Sequence, residues 1–373
     1  MKDISEDIKN ILLKLESNKH EAFIVGGATR DYLLGRDIHD IDITTDASPD
    51  EIKDIFKDYT YYEIGKQLGT VTLVLGDEYV DITPYRKEGE YIKHRRPKSV
   101  TYSKELKEDL KRRDFTINAL CMDYKGNITD LFNGIDDLNN KVIRAIGDPD
   151  VRFNEDALRI LRAIRFNVTL GFKIEDKTEE ALFRNKDLLK YISKERKRDE
   201  LLKILDKPHT YKTLSRYEDI FKTFINFDNL NKKVDDFNNS YHKLAYLIDD
   251  ISALKNISLS KKEMHLIKTL NSLNNLKIDD DYIFIKMLSN DSFKEDILSY
   301  LEALHNISLK DRYESLKDYI VTLKTLKIDG LSLKKLGYEG IYIKNIQEAI
   351  INEIQHQRLK NDLGAIRDYL NTK

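Results

Sequence analysis

At 373 residues, with 34% charged side chains, no tryptophan and a net charge of −2, the chain is long enough for more than one domain, and its apolar runs are too short to cross a bilayer. A single cysteine, Cys121, excludes a framework of internal disulfides and fits a reducing, cytoplasmic setting. The overall balance excludes a globally basic nucleic-acid binder, yet residues 93–113 carry nine Lys or Arg (93, 95, 96, 98, 104, 107, 111, 112 and 113) against three acids (105, 108 and 109), a local net of +6.

In chain order, Ile4, Ile8, Ile11, Leu12 and Leu15 recur with the helical period on a charged segment, the pattern of a folded helix and not of a secretion signal. Strands are predicted over 22–25, 41–44, 70–75 and 79–83, the last two joined as a hairpin around Gly76, Asp77 and Glu78. Residues 49–56 read as a helix, with Ser48 as its cap and Pro49 at its first position. From Asp156 onward the pattern predicts helices over 157–166, 195–205, 243–254, 316–326 and 341–357. All five prolines (49, 84, 97, 149 and 208) fall in the first 208 residues, and no glycine occurs between Gly171 and Gly330. Strands and turns need such punctuation and helical arrays do not, so the expected class is α+β, with a small mixed or antiparallel sheet near the N-terminus and an all-α remainder.

The chemistry concentrates in three motifs. Asp40 and Asp42 flank Ile41 on a predicted strand, where residues two apart share a face; two carboxylates so placed can hold a pair of divalent cations for phosphoryl or nucleotidyl transfer. Asp81, on a neighbouring predicted strand, is a third candidate catalytic carboxylate. Just upstream, Gly26 and Gly27 separate a short apolar strand from a helical stretch holding Arg30 and Asp31, which puts bare backbone N–H groups where phosphates could sit. His39 precedes Asp40, but the other histidines (20, 94, 209, 242, 265, 305 and 356) have no close ligand spacing, which argues against a metal-dependent phosphohydrolase.

The second motif is Arg112, Arg113, Asp114, Phe115, Thr116, Ile117, Asn118, Ala119 and Leu120. Guanidinium forks match phosphate oxygens, and Asp114 can orient an arginine or meet a ribose hydroxyl; the plain structural alternative is a capped helix start. The third runs from Glu155 and Asp156 through Arg159 and Arg162 to Arg165, a polar stripe recurring every three residues beside Leu158, Leu161 and Ile164. Its structural alternative is an ordinary helix with acids early and arginines late. A carboxylate accepts from an exocyclic amine and a guanidinium donates to a ring nitrogen or carbonyl. Asp156 and Arg159 would then accept CTP and ATP, whose bases offer an amino group beside an acceptor nitrogen, and reject UTP and GTP.

Taken together, and in this order and spacing, Gly26–Asp31, Asp40–Asp42, Arg112–Ala119 and Glu155–Arg162 closely resemble the class II tRNA nucleotidyltransferases, the bacterial CCA-adding enzymes. The resemblance implies a polymerase-β-like catalytic head (1–140), a neck that recognises the base (141–205), a helical body (206–300) and a helical, tRNA-binding tail (301–373). It implies Mg²⁺ on Asp40 and Asp42, and phosphates near Gly26, Gly27, Arg30, Arg112 and Arg113. It also implies base reading by Asp156 and Arg159, Glu155 as a positioning partner, and Asp114, Arg162 and Arg165 in the nucleotide site. The partners implied are tRNA, CTP and ATP, with no membrane and no obligate protein partner.

Residues 193–201 are similar to the family's neck-closing motif, with Lys197 where an apolar residue is expected, and 340–370 are similar to its tail. Residues 85–102 resemble the flexible loop that CC-only enzymes lack, which favours complete CCA or A-only addition, and Gly89 suggests a hinge there. The basic extension expected of poly(A) polymerases is not found before Lys373. A small-molecule nucleotidyltransferase and a non-catalytic RNA-binding protein stay open as readings from other classes.

Overall fold

The computed structural model describes residues 4–38, 40–63, 69–89, 91–92, 96–289 and 292–372. His39, Lys93, His94 and Arg95 lie outside the described residues. The chain forms two compact units, residues 1–207 with 216–225, and residues 208–215 with 226–373.

The first unit is built on a sheet. Helix α1 (Glu6–Ser17), capped by Ser5, leads into β1 (Ala22–Val25), α2 (Gly27–Leu33), β2 (Ile41–Thr45) and α3 (Pro49–Ile55). Ser48 and Glu51 close a reciprocal capping box on α3 around Pro49, so that helix starts where its local chemistry dictates. Strands β3 (Tyr61–Glu63), β4 (Val71–Leu75) and β5 (Glu78–Pro84) follow. The described parts of 85–102 form two short ladders, β6 (Arg86–Glu88) with β9 (Val100–Tyr102) and β7 (Tyr91–Ile92) with β8 (Arg96–Pro97). Gly89 donates its N–H to the Ser99 carbonyl at 2.9 Å, and a Cβ on it would sit 2.5 Å from Ser99 Oγ, so close approach is one reason for glycine there.

After α4 (Leu106–Lys111), the stretch with a capped-helix alternative proves to be one 3₁₀ turn, Thr116–Asn118, and then β10 (Leu120–Met122), which pairs with β11 (Ile128–Asp130). The seven strands run β11-β10-β1-β2-β5-β4-β3, with β2 and β5 parallel and every other pair antiparallel. β3, β10 and β11, three residues each, are too short to carry an alternating pattern of their own; tertiary pairing defines them. One face of the sheet buries Ile24, Ile43, Leu73, Val80 and Ile82 against Ile8, Ile11, Leu12 and Leu15 of α1 and Ile52 and Phe56 beside α3. The other face carries Val25 and Cys121 in a smaller cluster with Leu110 and Ile146, and there Asp42 is opposite Val25 in register.

Helices α5 (Gly134–Asn139), α6 (Pro149–Glu155), α7 (Leu158–Leu170), α8 (Asp176–Asn185) and α9 (Lys194–Leu205) complete this unit, with a two-residue parallel pair, Val142–Ile143 and Lys173–Ile174, between them. Lys197 on α9 is 5% exposed, and its ammonium lies 5.5 Å from the centroid of the Phe224 ring. Burial, with Lys194 nearby, holds its pKa below the usual lysine value, at the position where the sequence led us to expect an apolar group. A lysine so perturbed is less costly only as pH rises toward its ordinary titration. Lys197→Leu should therefore stabilise the protein at pH 7 by about 1 kcal/mol, the gain shrinking as pH rises toward the ordinary lysine value and vanishing above roughly pH 10. Denaturant melts at the two pH values check this; a loss of stability at pH 7 would show the cation–π contact to outweigh desolvation.

The second unit is helical, with Ser240–Leu247, Lys261–Asn271, Asp281–Leu288, Lys294–His305, Ile341–Gln355 and Leu363–Asn371 among its helices. Two expected helices are corrected. The one over 243–254 stops at Leu247 and resumes as a 3₁₀ segment, Ile251–Asn256, because the Asn271 amide takes the Ile248 carbonyl at 2.6 Å and Asp250 caps the new turn through the Ser252 N–H. The one over 316–326 is absent: Lys310–Leu316 ends in a 3₁₀ turn, and Val321, outside any helix, is buried in a core with Ile328, Leu333, Ile350 and Ile354 while Gln355 donates to its carbonyl at 3.1 Å. In both places a tertiary side chain satisfies a carbonyl that a helix would have used. Among the described residues, no helix is long and apolar enough to cross a membrane.

Candidate active site

A cleft of about 630 Å³ opens on the polar side of the sheet in the first unit. Gly26, Gly27, Arg30, Asp40, Asp42, Arg112, Arg113, Asp114, Asp156, Arg159, Arg162 and Arg165 line it, together with Asp31, Asn118, Phe166, Arg196 and Lys203. Residues as far apart in the sequence as Gly26 and Lys203 thus share one wall-to-wall space, the geometry of a ligand site. Asp81 and Glu155 are beside it and not in its lining: Asp81 is opposite Asp42 in the parallel β2–β5 register, and one of its oxygens accepts from Thr72 Oγ1 at 2.5 Å.

Asp40 precedes β2 and Asp42 is within it; between and beyond them Ile41 and the fully buried Ile43 point toward the core. Asp42 keeps much of its surface open to the cleft, but its carboxyl is enclosed enough to titrate above the usual carboxylate range. Desolvation is the main cause; Arg113 opposes it, and the neighbouring Asp81 and Asp40 add to it. Asp40 and Asp42, with Asp81 opposite Asp42 on the neighbouring central strand, present carboxylate oxygens with an unmet demand for positive charge, which suits a hard divalent cation. Among the described residues no group of three or more His, Cys, Asp or Glu side chains is gathered for an ion. A divalent cation on Asp40 and Asp42 would therefore draw the rest of its shell from ligand oxygens and water.

Gly26, at φ 79 and ψ −131, turns the chain from β1 into α2, and a Cβ there would sit 3.3 Å from Arg113 Nη1. Glycine at this point serves both a left-handed backbone and the close approach of the guanidinium. Arg113 reaches Asp109 at 3.4 Å through Nη2, while its Nε is buried with no hydrogen-bond partner. Arg112 is held by Asp109, at 2.6 and 3.0 Å, and by Glu88 at 3.5 Å. Asp109 is fully buried; desolvation alone would raise its pKa, but Arg112, Arg113 and Arg86 together hold it below the usual range.

A second polar chain crosses the cleft floor. Arg30 donates to both oxygens of Asp31, at 3.0 and 2.8 Å, and to Asn118 at 2.7 Å. Asn118 in turn donates to Asp114 at 3.0 Å, which also accepts from the Phe115 N–H at 2.8 Å and from Arg162 at 2.7 Å. Burial would push the Asp114 carboxyl up, but Arg162, Asn118 and Arg159 more than offset it and hold the group well below the usual carboxylate range. Arg165 pairs with Glu200 at 2.6 Å. The Phe166 ring lies under three guanidinium groups, those of Arg30, Arg162 and Arg165, at 5.1, 5.3 and 4.2 Å.

Arg159 is 7% exposed and fixed by three acceptors: Glu155 at 2.9 Å, the Arg152 carbonyl at 3.2 Å and the Arg112 carbonyl at 2.5 Å. Of its five N–H donors two stay uncommitted by these bonds. Asp156 stands between α6 and α7 and is held by Arg196. Arg196 and Lys203 were not among the residues marked from sequence. Their spacing of seven on one predicted helix, which sets both on one face, is the signal that could have found them.

The Poly A polymerase head domain family matches residues 22–144, and a second family, described as the probable RNA and SrmB-binding site of polymerase A, matches residues 171–219. The CCA-adding enzyme of Lactobacillus helveticus is 37% identical across 96% of this chain and 95% of its own length. That of Staphylococcus aureus (strain MRSA252) is 46% identical over 55% of this chain and 50% of its own. Among solved structures, the Bacillus stearothermophilus CCA-adding enzyme in complex with CTP superposes with a TM-score of 0.79 at 27% identity, covering 100% of this chain and 98% of that one. The Thermotoga maritima CCA-adding enzyme complexed with tRNA shares the fold at a TM-score of 0.69 and 23% identity.

Proposed function

The chain belongs to the CCA-adding enzymes, and on that premise we propose that its cleft adds C, C and A to the 3′ end of tRNA without a template, taking CTP and ATP and releasing pyrophosphate. The observation that carries the reading is the sharing of one cleft by the Asp40–Asp42 pair and the Asp156–Arg159 pair. A nucleotide with its triphosphate at the first pair and its base at the second spans the site.

The tRNA 3′-hydroxyl attacks the α-phosphate in line. Asp40 and Asp42 would hold a pair of divalent cations, which we assign as Mg²⁺; one would activate the attacking oxygen and the other would neutralise the departing pyrophosphate. Arg113, whose Nη1 lies beside Gly26, binds the phosphates next to Gly26 and Gly27, and Arg30 and Arg112 add positive potential from anchored positions. Asp114, Arg162 and Arg165 form the charged floor beneath the sugar and base. Asp156 accepts the exocyclic amine common to cytosine and adenine, while Arg159 donates to the adjacent ring acceptor and Glu155 holds Arg159 in place. Asp81 crowds Asp42 from the next strand and raises its demand for a cation. The tail holds tRNA, and with one buried cysteine the protein suits the cytoplasm.

The test is product sequencing on tRNA truncated to each stage, with CTP alone, ATP alone and both. CTP alone should stop at CC, both should give CCA, and a chelator should abolish every product. Addition of A alone, or of CC alone in the presence of both nucleotides, would assign a narrower enzyme. Transfer only to small acceptors would end the reading.

A further inference from the structure

Arg196, on α9, sits at the cleft with its guanidinium on Asp156 and has no role in the reading above. We propose that Arg196 is a positioning residue for nucleotide choice, orienting the Asp156 carboxylate so that a single acceptor position faces the base. The proposal rests on Asp156 reading the base.

The count of hydrogen bonds carries it. Asp156 has extended backbone, φ −134 and ψ 102, in the break between α6 and α7. Its Oδ1 accepts the Leu158 N–H at 3.1 Å and Arg196 Nη1 at 3.2 Å, and its Oδ2 accepts Arg196 Nη2 at 2.7 Å. A carboxylate offers about four lone-pair positions, so these three donors leave one for a ligand. The guanidinium fork matches the carboxylate plane and opposes rotation about its terminal torsion, which is otherwise broad and soft.

The fork is itself anchored. Two of the arginines on α7 reach Glu200 on α9, Arg165 at 2.6 Å and Arg162 at 4.0 Å, which fixes the face from which Arg196 projects. Without the fork, only the Leu158 N–H holds the carboxylate, and the remaining acceptors turn with it. A misdirected acceptor favours the amine of CTP less and disfavours the carbonyl of UTP less, so selectivity falls while the reacting end of the site is unaltered.

The experiment compares kcat and KM for CTP and UTP on tRNA lacking its terminus, using full-length Arg196→Gln, Arg196→Lys and Asp156→Asn proteins. Arg196→Gln should lower the CTP-over-UTP ratio of kcat/KM by about tenfold or more, the factor carried by one good base contact. Arg196→Lys keeps the charge without the fork and should not restore the ratio. A purely structural role for Arg196 would slow both nucleotides equally and leave the ratio unchanged, which would overturn the proposal. Full restoration by Lys would overturn it as well, since charge and not orientation would then suffice. If Arg196→Gln does not fold, the ratio in Arg196→Lys decides the same question: a wild-type value sinks the proposal and a lowered one supports it. Asp156→Asn separates the two levels. A relaxed ratio there with an unchanged one in Arg196→Gln refutes only the role of Arg196, whereas a wild-type ratio in Asp156→Asn refutes base reading by Asp156 itself.

Discussion

Asp42→Ala should lower nucleotide incorporation by about a thousandfold while leaving tRNA affinity close to wild type. Cation-mediated charge stabilisation of this kind is worth several kcal/mol, and each ~1.4 kcal/mol is a factor of ten in rate. The same carboxylate is a burden on the cation-free fold. Desolvation, Asp81 and Asp40 raise its folded pKa despite the opposing Arg113, so the folded state binds more protons than the unfolded one through the window above the ordinary carboxylate value. Stability then falls as pH rises through that window. Asp42→Asn should accordingly melt no lower than wild type at pH 7 without divalent cations, and Mg²⁺ should raise the melting temperature of wild type but not of the variant. Single-turnover incorporation, filter binding of tRNA and thermal melts with and without Mg²⁺ decide this. Retention of activity by Asp42→Ala would show the carboxylate assignment to be wrong.

Asp114→Ala should be the most destabilising of the cleft substitutions. Asp114 is 8% exposed and accepts from Phe115, Asn118 and Arg162, so its removal strands the Phe115 N–H and the Asn118 amide and leaves Arg162, among the described residues, with only Glu200, at 4.0 Å, as an ion-pair partner. Breaking a buried pair from one side costs about 3 to 5 kcal/mol, which corresponds to a melting temperature lower by about 6 to 20 °C in a unit of this size. The pH dependence has the opposite sign to that of Asp42. Asp114 is held below its ordinary pKa, with Arg162 the leading cause against the desolvation that would raise it, so its contribution is complete above the unfolded value and is lost only as pH falls below it. The gap between wild type and Asp114→Ala should therefore be constant from about pH 5 to 8 and narrow below about pH 4. A melt of the variant within a degree of wild type at pH 7 would mean that the chain from Arg30 through Asn118 to Arg162 carries no net stability.

Short-range chemistry was legible wherever a single element carried its own instructions. The cap at Ser48 and Pro49 and the turn at Gly76 each rest on local backbone geometry, and the structure has them as expected, whereas of the Asp40 and Asp42 pair only Asp42 lies on the strand and Asp40 precedes it. The helices over 243–254 and 316–326 failed for the reason that their ends are decided by Asn271 and Gln355, residues far along the chain. Lys197 shows the same limit from the other side: no local rule says that a lysine will be buried over Phe224.

By itself the sequence determined the class of the fold, the acids that can carry a cation and the arginine-rich helix beside them, because residue type and periodicity act over a few bonds. Only the tertiary structure decided which of those charges are free to meet a ligand. Arg30, Arg112 and Arg162 are committed to Asp31, Asp109 and Asp114, Asp156 is held by Arg196, and Arg113 keeps a buried donor unpaired. The reason is that a buried charge must be matched from whichever element reaches it, and which element that is depends on how the sheet and the helices after it close around one cleft.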